Sequence, residues 1–362
     1  MKNNRTLYLF ISMLALVILL AACGNTESEN DDQQNEEPSA ESDNGDTSGG
    51  DEAESKSENS ERTLTDALGN EVTVPAEPKR VIASYLEDYL VALGITPVAQ
   101  WSVGDGATIQ DYLQDSLGDV PTISYDLPLE AVTSFNPDLI IMDSAGMVEG
   151  NKYDQYNRIA PTYVIGSEQN NDWRDELLEM GKIFDQEEKA NQVLADYEKK
   201  AADAKEQIQA AIGDESVAAL WLFNNTFYIV SETLSSGDVL YNDLGLTTPN
   251  VVKEISANTE SNWSEISLEK LAELDADYIF LINNDKGNGS EMLQDDIWKN
   301  IPAVKKGNIY EYESTSSWLY TGPIANSQVI DNILSDLTEQ EDMGTDSLAK
   351  VASSDLSPIT FL

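Results

Sequence analysis

The segment LEAVTSFNPDLI (residues 129–140) recurs 139 residues later as LEKLAELDADYI (residues 268–279). In each copy, apolar residues at helical spacing precede a short apolar run that is partly β-branched. Each copy therefore predicts a short helix leading into a buried strand, which is the building unit of an α/β lobe. Solenoid repeats are roughly 20–50 residues long. Because this spacing is much longer, the repeat predicts two similar α/β lobes that face each other.

The rest of the chain divides around this repeat. Residues 62–166 alternate short strands and helices and form the predicted first lobe, and residues 214–340 do the same for the second. Between them, residues 167–213 are dominated by helix formers, interrupted only near Asp185. A helical pattern longer than about 25 residues is unusual inside a globular lobe. We therefore expect a helical spine that joins the two lobes.

The N-terminus has the features of an export signal. Residues 1–22 place Lys2 and Arg5 before an apolar run that is short for a membrane span, and the run ends in LAACG, a lipobox-like motif. Cys23, the chain's single cysteine, is the predicted lipidation site. The alternative is an ordinary cleaved signal peptide with an incidental cysteine. Residues 23–61 then form an acidic, disordered tether, and residues 341–362 form a tail.

Composition narrows the class of function. The net charge of −45 argues against nucleic acid as a partner. Histidine is absent, and the single cysteine is assigned to lipidation, so neither residue is available as a general base, nucleophile or zinc ligand. The sequence also lacks G-x-S-x-G, P-loop and Rossmann glycine motifs. We therefore expect a binding protein, with neither an enzymatic activity nor a protein-bound metal.

Aromatic residues mark the predicted ligand site. They lie at predicted strand ends and loops, where open α/β sheets bind ligands, and clustered aromatics suit a bulky ligand of low charge. Core packing is the alternative for each of them, and Trp298 and Tyr310 are expected to be core residues. Trp318 is predicted in an exposed loop, because serines precede it and Gly322 and Pro323 follow it. The candidate ligand-binding residues are Tyr85, Trp101, Tyr125, Trp221, Phe223, Trp318 and Tyr320.

Several segments resemble the lipid-anchored siderophore-binding components of bacterial iron-uptake ABC transporters, a cluster that includes vitamin B12-binding proteins. The matching segments are the repeat, PKRVI (residues 78–82), IAPT (159–162) and IPAVKKGNIY (301–310), and the likeness covers roughly residues 63–338. The resemblance implies two Rossmann-like α/β lobes joined by a single long helix, with the ligand in the cleft between them. It also implies docking onto the ABC permease through Glu130 and Glu269. Their alternative role is that of helix N-terminal acids favoured by the helix dipole.

The same resemblance bears on the ligand. Many relatives carry arginines where this chain has Trp221 and Phe223, which disfavours a highly anionic ferric catecholate and favours a ferric hydroxamate siderophore. The iron is expected to stay in its chelate, so the ferric siderophore is the transported ligand and no cofactor is implied. Ferric citrate and a corrinoid remain alternatives, as do a surface hydrolase or a sensory lipoprotein from other classes. An anionic ligand such as ferric citrate stays an alternative because four basic residues lie in or near predicted loops and could reach the cleft. They are Lys152, Arg158, Lys253 and Lys286.

The expected protein is a monomer, lipid-anchored on the extracellular face of a Gram-positive cell membrane.

Overall fold

The computed structural model describes residues 60–168, 170–285 and 290–338. They begin with an antiparallel hairpin of β1 (Arg62–Thr65) and β2 (Glu71–Val74). The carboxylate of Asp66 accepts hydrogen bonds from backbone N–H groups inside the turn, and Gly69 takes the left-handed conformation with φ +82°.

The first lobe contains a parallel sheet and a separate parallel strand pair. The sheet has the order β3-β6-β7, and β4 pairs with β5. The strands are β3 (Val81–Ala83), β4 (Gln100–Ser102), β5 (Thr122–Ser124), β6 (Leu139–Ser144) and β7 (Thr162–Gly166). The helices are α1 (Glu87–Ala92), α2 (Gln114–Leu117), α3 (Leu129–Ser134) and α4 (Lys152–Asn157).

The spine between the lobes consists of two helices, α5 (Trp173–Ile183) and α6 (Glu187–Ile212). Asp172 caps α5 by accepting a hydrogen bond from the backbone N–H of Arg174. The chain turns between the helices at Asp185, which has φ +56°. The 26 residues of α6 span about 39 Å at a rise of 1.5 Å per residue. The long helix α6 and the break near Asp185 both agree with the predicted helical spine.

The second lobe is built on a mixed sheet of order β10-β9-β8-β11-β12, in which β8, β11 and β12 are parallel. The strands are β8 (Val217–Phe223), β9 (Thr226–Val230), β10 (Trp263–Glu265), β11 (Tyr278–Asn283) and β12 (Ile309–Tyr312). The helices are α7 (Asn250–Ser256), α8 (Leu268–Ala272), α9 (Asp296–Asn300), α10 (Pro302–Lys306) and α11 (Pro323–Thr338). A π-helical segment, Asp238–Asp243, follows β9, and α11 packs back onto both α6 and α1.

Both copies of the sequence repeat fold as predicted, as the helix-strand units α3-β6 and α8-β11. Their aspartates explain part of the likeness. Asp138 accepts hydrogen bonds from the backbone N–H groups of Lys79 and Arg80, just before β3. Asp277 accepts one from the N–H of Ser216, just before β8. Since β3 pairs with β6 and β8 pairs with β11, each aspartate fixes the start of the neighbouring parallel strand.

The first sheet separates two hydrophobic clusters. Val81 and Ala83 of β3 face a large cluster that continues through the spine into the second lobe, whereas Ile82 faces a smaller cluster on the other side of the sheet. This follows from the two-residue period of a strand. The two lobes and the spine therefore share one continuous core. Within residues 60–168, 170–285 and 290–338, every helix is too short or too polar to cross a bilayer.

Candidate functional site

The first aromatic cluster forms where the strands of the first lobe end. Tyr85 follows β3 with φ +70°, an unusual conformation for a non-glycine residue, and its side chain remains 40% exposed. Its ring packs edge-to-face on Trp101 with a centroid distance of 5.2 Å and lies 6.2 Å from Tyr320. Tyr320 comes from the far end of the chain, and its hydroxyl donates a 3.0 Å hydrogen bond to the carbonyl of Ile109. Three of the candidate residues are therefore brought together.

Tyr112 completes this cluster and was not among the sequence candidates. Its ring lies 5.2 Å from that of Tyr320, and its hydroxyl donates to Asp88 at 3.0 Å. It lies in a 3₁₀ turn, Asp111–Leu113, between two short strands. A tyrosine between weakly patterned segments gives no periodic signal, so its partners emerge only from the fold.

A second aromatic cluster forms at the end of β8. Trp221 and Phe223 occupy alternate positions on this strand and stack at 5.4 Å with an interplanar angle of 17°. Tyr228, the cross-strand partner of Trp221 on β9, lies 5.1 Å from its ring, and Trp263 lies 6.3 Å away. The indole N–H of Trp221 donates to Asn284, which follows β11. Tyr228 and Trp263 were not among the sequence candidates, although the alternation along β9 indicates Tyr228.

Two candidates stand apart from both clusters. Tyr125 follows β5 and is 56% exposed, with no ring contact among the described residues. Trp318 is fully buried, so the prediction that it lies in an exposed loop is wrong. Its indole stacks on Phe280 at 4.8 Å and contacts Tyr312 at 5.4 Å. The serine-rich segment forms a short 3₁₀ turn that folds into the second lobe's core ahead of α11. Trp298, expected in the core, is buried.

A polar cavity of about 80 Å³ lies between the two lobes, beside Tyr85. The first lobe and the start of the spine supply most of its wall, and the segments after β9 and before β10 close the opposite side. Among the described residues that line it, none is a lysine or an arginine. The cavity is lined by Tyr85, Leu86, Tyr89, Asp143, Asn170, Asn171, Glu176, Leu234, Ser235, Asn262 and Thr321.

Two carboxyl groups line this cavity, and neither has a cationic partner within the part of the chain that the structure describes. Glu176 accepts hydrogen bonds from the hydroxyl of Tyr89 at 2.5 Å and from the amide of Asn171 at 3.1 Å. Burial raises its pKa to about 7, and the nearby charge of Asp143 acts in the same direction. Burial likewise raises the pKa of Asp143 to about 6. The site is therefore acidic and poorly solvated.

Two further buried acids accept hydrogen bonds from residues of the first aromatic cluster. Glu87 accepts a 2.6 Å hydrogen bond from the backbone N–H of Trp101, and burial raises its pKa to about 8. Asp88 accepts hydrogen bonds from the backbone N–H groups of Ile324 and Ala325, at the start of α11. Burial raises the pKa of Asp88 to about 6 in spite of these bonds. Asp88 thereby ties α1 of the first lobe to the closing helix.

The two predicted docking glutamates occupy equivalent positions. Glu130 lies in the first turn of α3, and Glu269 lies in the first turn of α8. Both side chains are exposed, and neither has a hydrogen-bond or ion-pair partner among the described residues. Their free carboxylates stand at the same point of each repeat.

The basic residues considered at the sequence level do not line the cavity. Lys152, Arg158 and Lys253 are exposed, and Lys286 lies outside the described residues. Cys23, most of the tether and the tail also lie outside them. Among residues 60–168, 170–285 and 290–338, no group of three or more His, Cys, Asp or Glu side chains is arranged to hold a metal ion.

Comparison with known proteins identifies consistent similarities. The periplasmic binding protein family matches residues 86–315. The iron(3+)-hydroxamate-binding protein FhuD of Bacillus subtilis is 29% identical over 330 residues, covering 90% of this chain and 96% of its own length. The probable siderophore-binding lipoprotein YfiY of the same organism is 28% identical, covering 90% and 95%.

A solved structure from Bacillus subtilis shares this architecture. It is a FhuD fold-family binding protein, a component of a Fep/Fec-like ferrichrome ABC transporter, and it is 28% identical to this chain with a TM-score of 0.64. The match covers 76% of this chain and all of the solved one.

Proposed function

The chain belongs to the periplasmic binding protein family, and from that premise we propose that it captures a ferric siderophore and delivers it to an ABC permease for iron uptake. The ligand is carried as an intact chelate, and the protein contacts the siderophore without ligating iron. The relatives named above are binding proteins, which supports binding over catalysis. The observation that carries the proposal is the pair of aromatic clusters, one at the strand ends of each lobe.

The ligand class follows from the chemistry of these clusters. Stacked rings such as Trp221 on Phe223 offer apolar contact and π-faces, and they carry no charge to neutralise an anion. The cavity beside Tyr85 is lined by Asp143 and Glu176, and none of the described residues that line it is basic. A ferric catecholate would meet electrostatic repulsion there. We therefore propose a neutral or cationic ferric hydroxamate, in agreement with the iron(3+)-hydroxamate binding for which the relative FhuD is named.

The cellular location that we propose depends on the N-terminal sequence. We propose that Cys23 carries lipid and anchors the chain to the outer face of the cell membrane, with the acidic tether between anchor and body. The name of YfiY, a lipoprotein, supports this arrangement. Glu130 and Glu269 are proposed to meet arginines of the permease, since two separated carboxylates paired with guanidinium groups fix an orientation.

A fluorescence titration of the full chain tests the proposal. The six tryptophans provide the signal, and ferrioxamine B, ferrichrome, ferric citrate and a ferric catecholate are the probes. We expect saturable quenching by a hydroxamate at submicromolar concentration. Quenching by citrate or catecholate alone would retain the transport role and reject the charge argument. No response to any of the four would reject siderophore capture.

Two tryptophan variants assign the signal to the site. Trp221→Ala is expected to weaken hydroxamate binding by about 1–3 kcal/mol, because an aromatic ligand-contacting residue is lost. Trp318→Phe is the matched control. Its side chain is buried against Phe280, so affinity should stay unchanged while the melting temperature falls. Reversed results would place the ligand at the other indole.

A further inference from the structure

The interlobe cavity has a composition that the proposed function does not by itself require. On the first-lobe side, Asp143 and Glu176 present carboxyl groups, and on the second-lobe side, Ser235 and Asn262 present polar atoms. The nearest cation along the chain is Arg174, two residues before Glu176. Its guanidinium is already paired with Asp238 and Asp243 of the π-helical segment. Among the described residues, neither Asp143 nor Glu176 forms an ion pair, and no lysine or arginine lines the cavity.

The opposite wall provides an independent sign of a polar ligand. Ser235 is only 6% exposed, and its hydroxyl has no hydrogen-bond partner among the described residues. The side-chain oxygen of Asn262 is also buried without a partner. Leaving such an atom unpaired lowers the stability of the folded protein, because its desolvation is not compensated. Both residues line the same cavity as the two acids.

We propose that this cavity is a subsite for a primary ammonium group on the siderophore, so that the ligand is a ferric hydroxamate with a protonated amine arm. The inference rests on the proposed function and specifies its substrate class. A primary ammonium brings three N–H donors and no acceptor. The cavity offers carboxylates on one side and neutral oxygens on the other. Each water takes about 30 Å³ in the liquid, so a cavity of about 80 Å³ has room for an ammonium group and its adjoining methylene carbons.

The protonation states of the wall are consistent with this assignment. Burial raises the pKa of Asp143 to about 6 and that of Glu176 to about 7. An adjacent ammonium favours the ionised carboxylate, so binding an amine ligand near these pH values releases protons. Affinity for such a ligand should fall as the pH drops from about 8 to about 5. On the second-lobe side no lining residue is ionisable. The other ionisable groups that act on the pair are Tyr85, Tyr89 and Asp172.

Calorimetry of the full chain with two matched ligands provides the test. Ferrioxamine B carries a terminal ammonium, and its N-acetylated derivative keeps the iron chelate but loses the charge. At pH 7.5 we expect ferrioxamine B to bind on the order of tenfold more tightly. At pH 6.5, buffers of different ionisation enthalpy should detect proton release with ferrioxamine B only. Equal affinity for the two ligands would overturn the subsite and leave siderophore capture intact. Binding of neither would count against the proposed function itself.

Substitutions locate the effect. Asp143→Asn combined with Glu176→Gln should remove the preference for ferrioxamine B, so that the two ligands bind the variant with equal affinity. Asp175→Asn is the matched control, because it removes an exposed acid from the same helix, next to Glu176 but outside the cavity. A preference that survives in the double variant would contradict the assignment. Should the double variant fail to fold, the comparison of the two ligands on the unmodified chain still decides the question.

Discussion

The carboxyl group of Glu87 is buried next to Trp101, a member of the first aromatic cluster. One oxygen accepts the backbone N–H of Trp101, and the other has no hydrogen-bond partner among the described residues. Burial raises its pKa from 4.5 to about 8, so the acid is protonated in the folded protein at neutral pH. The unfolded chain ionises at much lower pH, and this difference makes stability depend on pH.

Glu87→Gln should therefore stabilise the protein in a defined pH window. Below about pH 4.5 the acid is protonated in both states, so the substitution should have little effect there. Between about pH 4.5 and 8 only the unfolded chain of the wild type gains by ionising, which lowers its stability as pH rises. The variant should be more stable by a few kcal/mol, on the order of one per pH unit, near pH 8. Chemical denaturation at pH 5 and pH 8 measures this. Parallel pH profiles of the two proteins would contradict it, and Asp115→Asn, at an exposed acid, serves as the control.

The site residues show where a sequence pattern stops being informative. Trp221 and Phe223 could be predicted because they alternate along a strand whose end the pattern located. Trp318 could not, because its serine-rich surroundings are typical of a loop, while its burial depends on Phe280, a residue distant in sequence. The cavity acids gave no signal of their own in a chain rich in carboxylates. Only the long-range packing of the folded chain brings Asp143 and Glu176 into the same cavity.

Helices and strands could be predicted more completely than contacts between them. The repeat predicted α3-β6 and α8-β11, and the long run of helix formers predicted the spine, because both depend on local periodicity. The position of α11 could not be predicted from local periodicity. It packs on α6 and α1, and its first turn is capped by Asp88, more than 230 residues earlier in the chain. No local pattern encodes such a cap.

Removing this cap should destabilise the junction of α1 and α11. Asp88→Ala leaves the backbone N–H groups of Ile324 and Ala325, and the hydroxyl of Tyr112, without their acceptor. We expect a loss of about 1–2 kcal/mol in the free energy of unfolding. Faster hydrogen exchange at the two amides would localise the change. Asp295→Ala, which removes the cap of α9 within the second lobe, should lower stability without affecting exchange at α11. Unchanged exchange in Asp88→Ala would show that the cap is not needed to hold this helix end.

At the scale of the whole molecule, acidic side chains lie in two different places, the cavity between the lobes and the outer surface. Between the lobes, two buried acids with raised pKa values, Asp143 and Glu176, line the cavity. On the outside, Glu130 and Glu269 are exposed at equivalent points of the two repeats. One continuous core links, through the spine, the two lobes that carry these exposed carboxylates. The ligand surface and the proposed docking surface are thus separable by substitution.

Charge reversal at both docking positions should separate capture from delivery. In Glu130→Arg combined with Glu269→Arg, each carboxylate that would pair with a permease arginine becomes a like charge, so siderophore-dependent iron uptake by cells should be lost. Ligand affinity of the purified protein should remain unchanged, because neither residue lines the cavity or joins an aromatic cluster. Asp115→Arg combined with Asp296→Arg is the matched control, since these are also exposed first-turn acids, one in each lobe. The control makes the same change in net charge and should retain uptake. Equal loss in both double variants would attribute the effect to overall charge, and loss of ligand affinity in the first would place the two glutamates at the binding site.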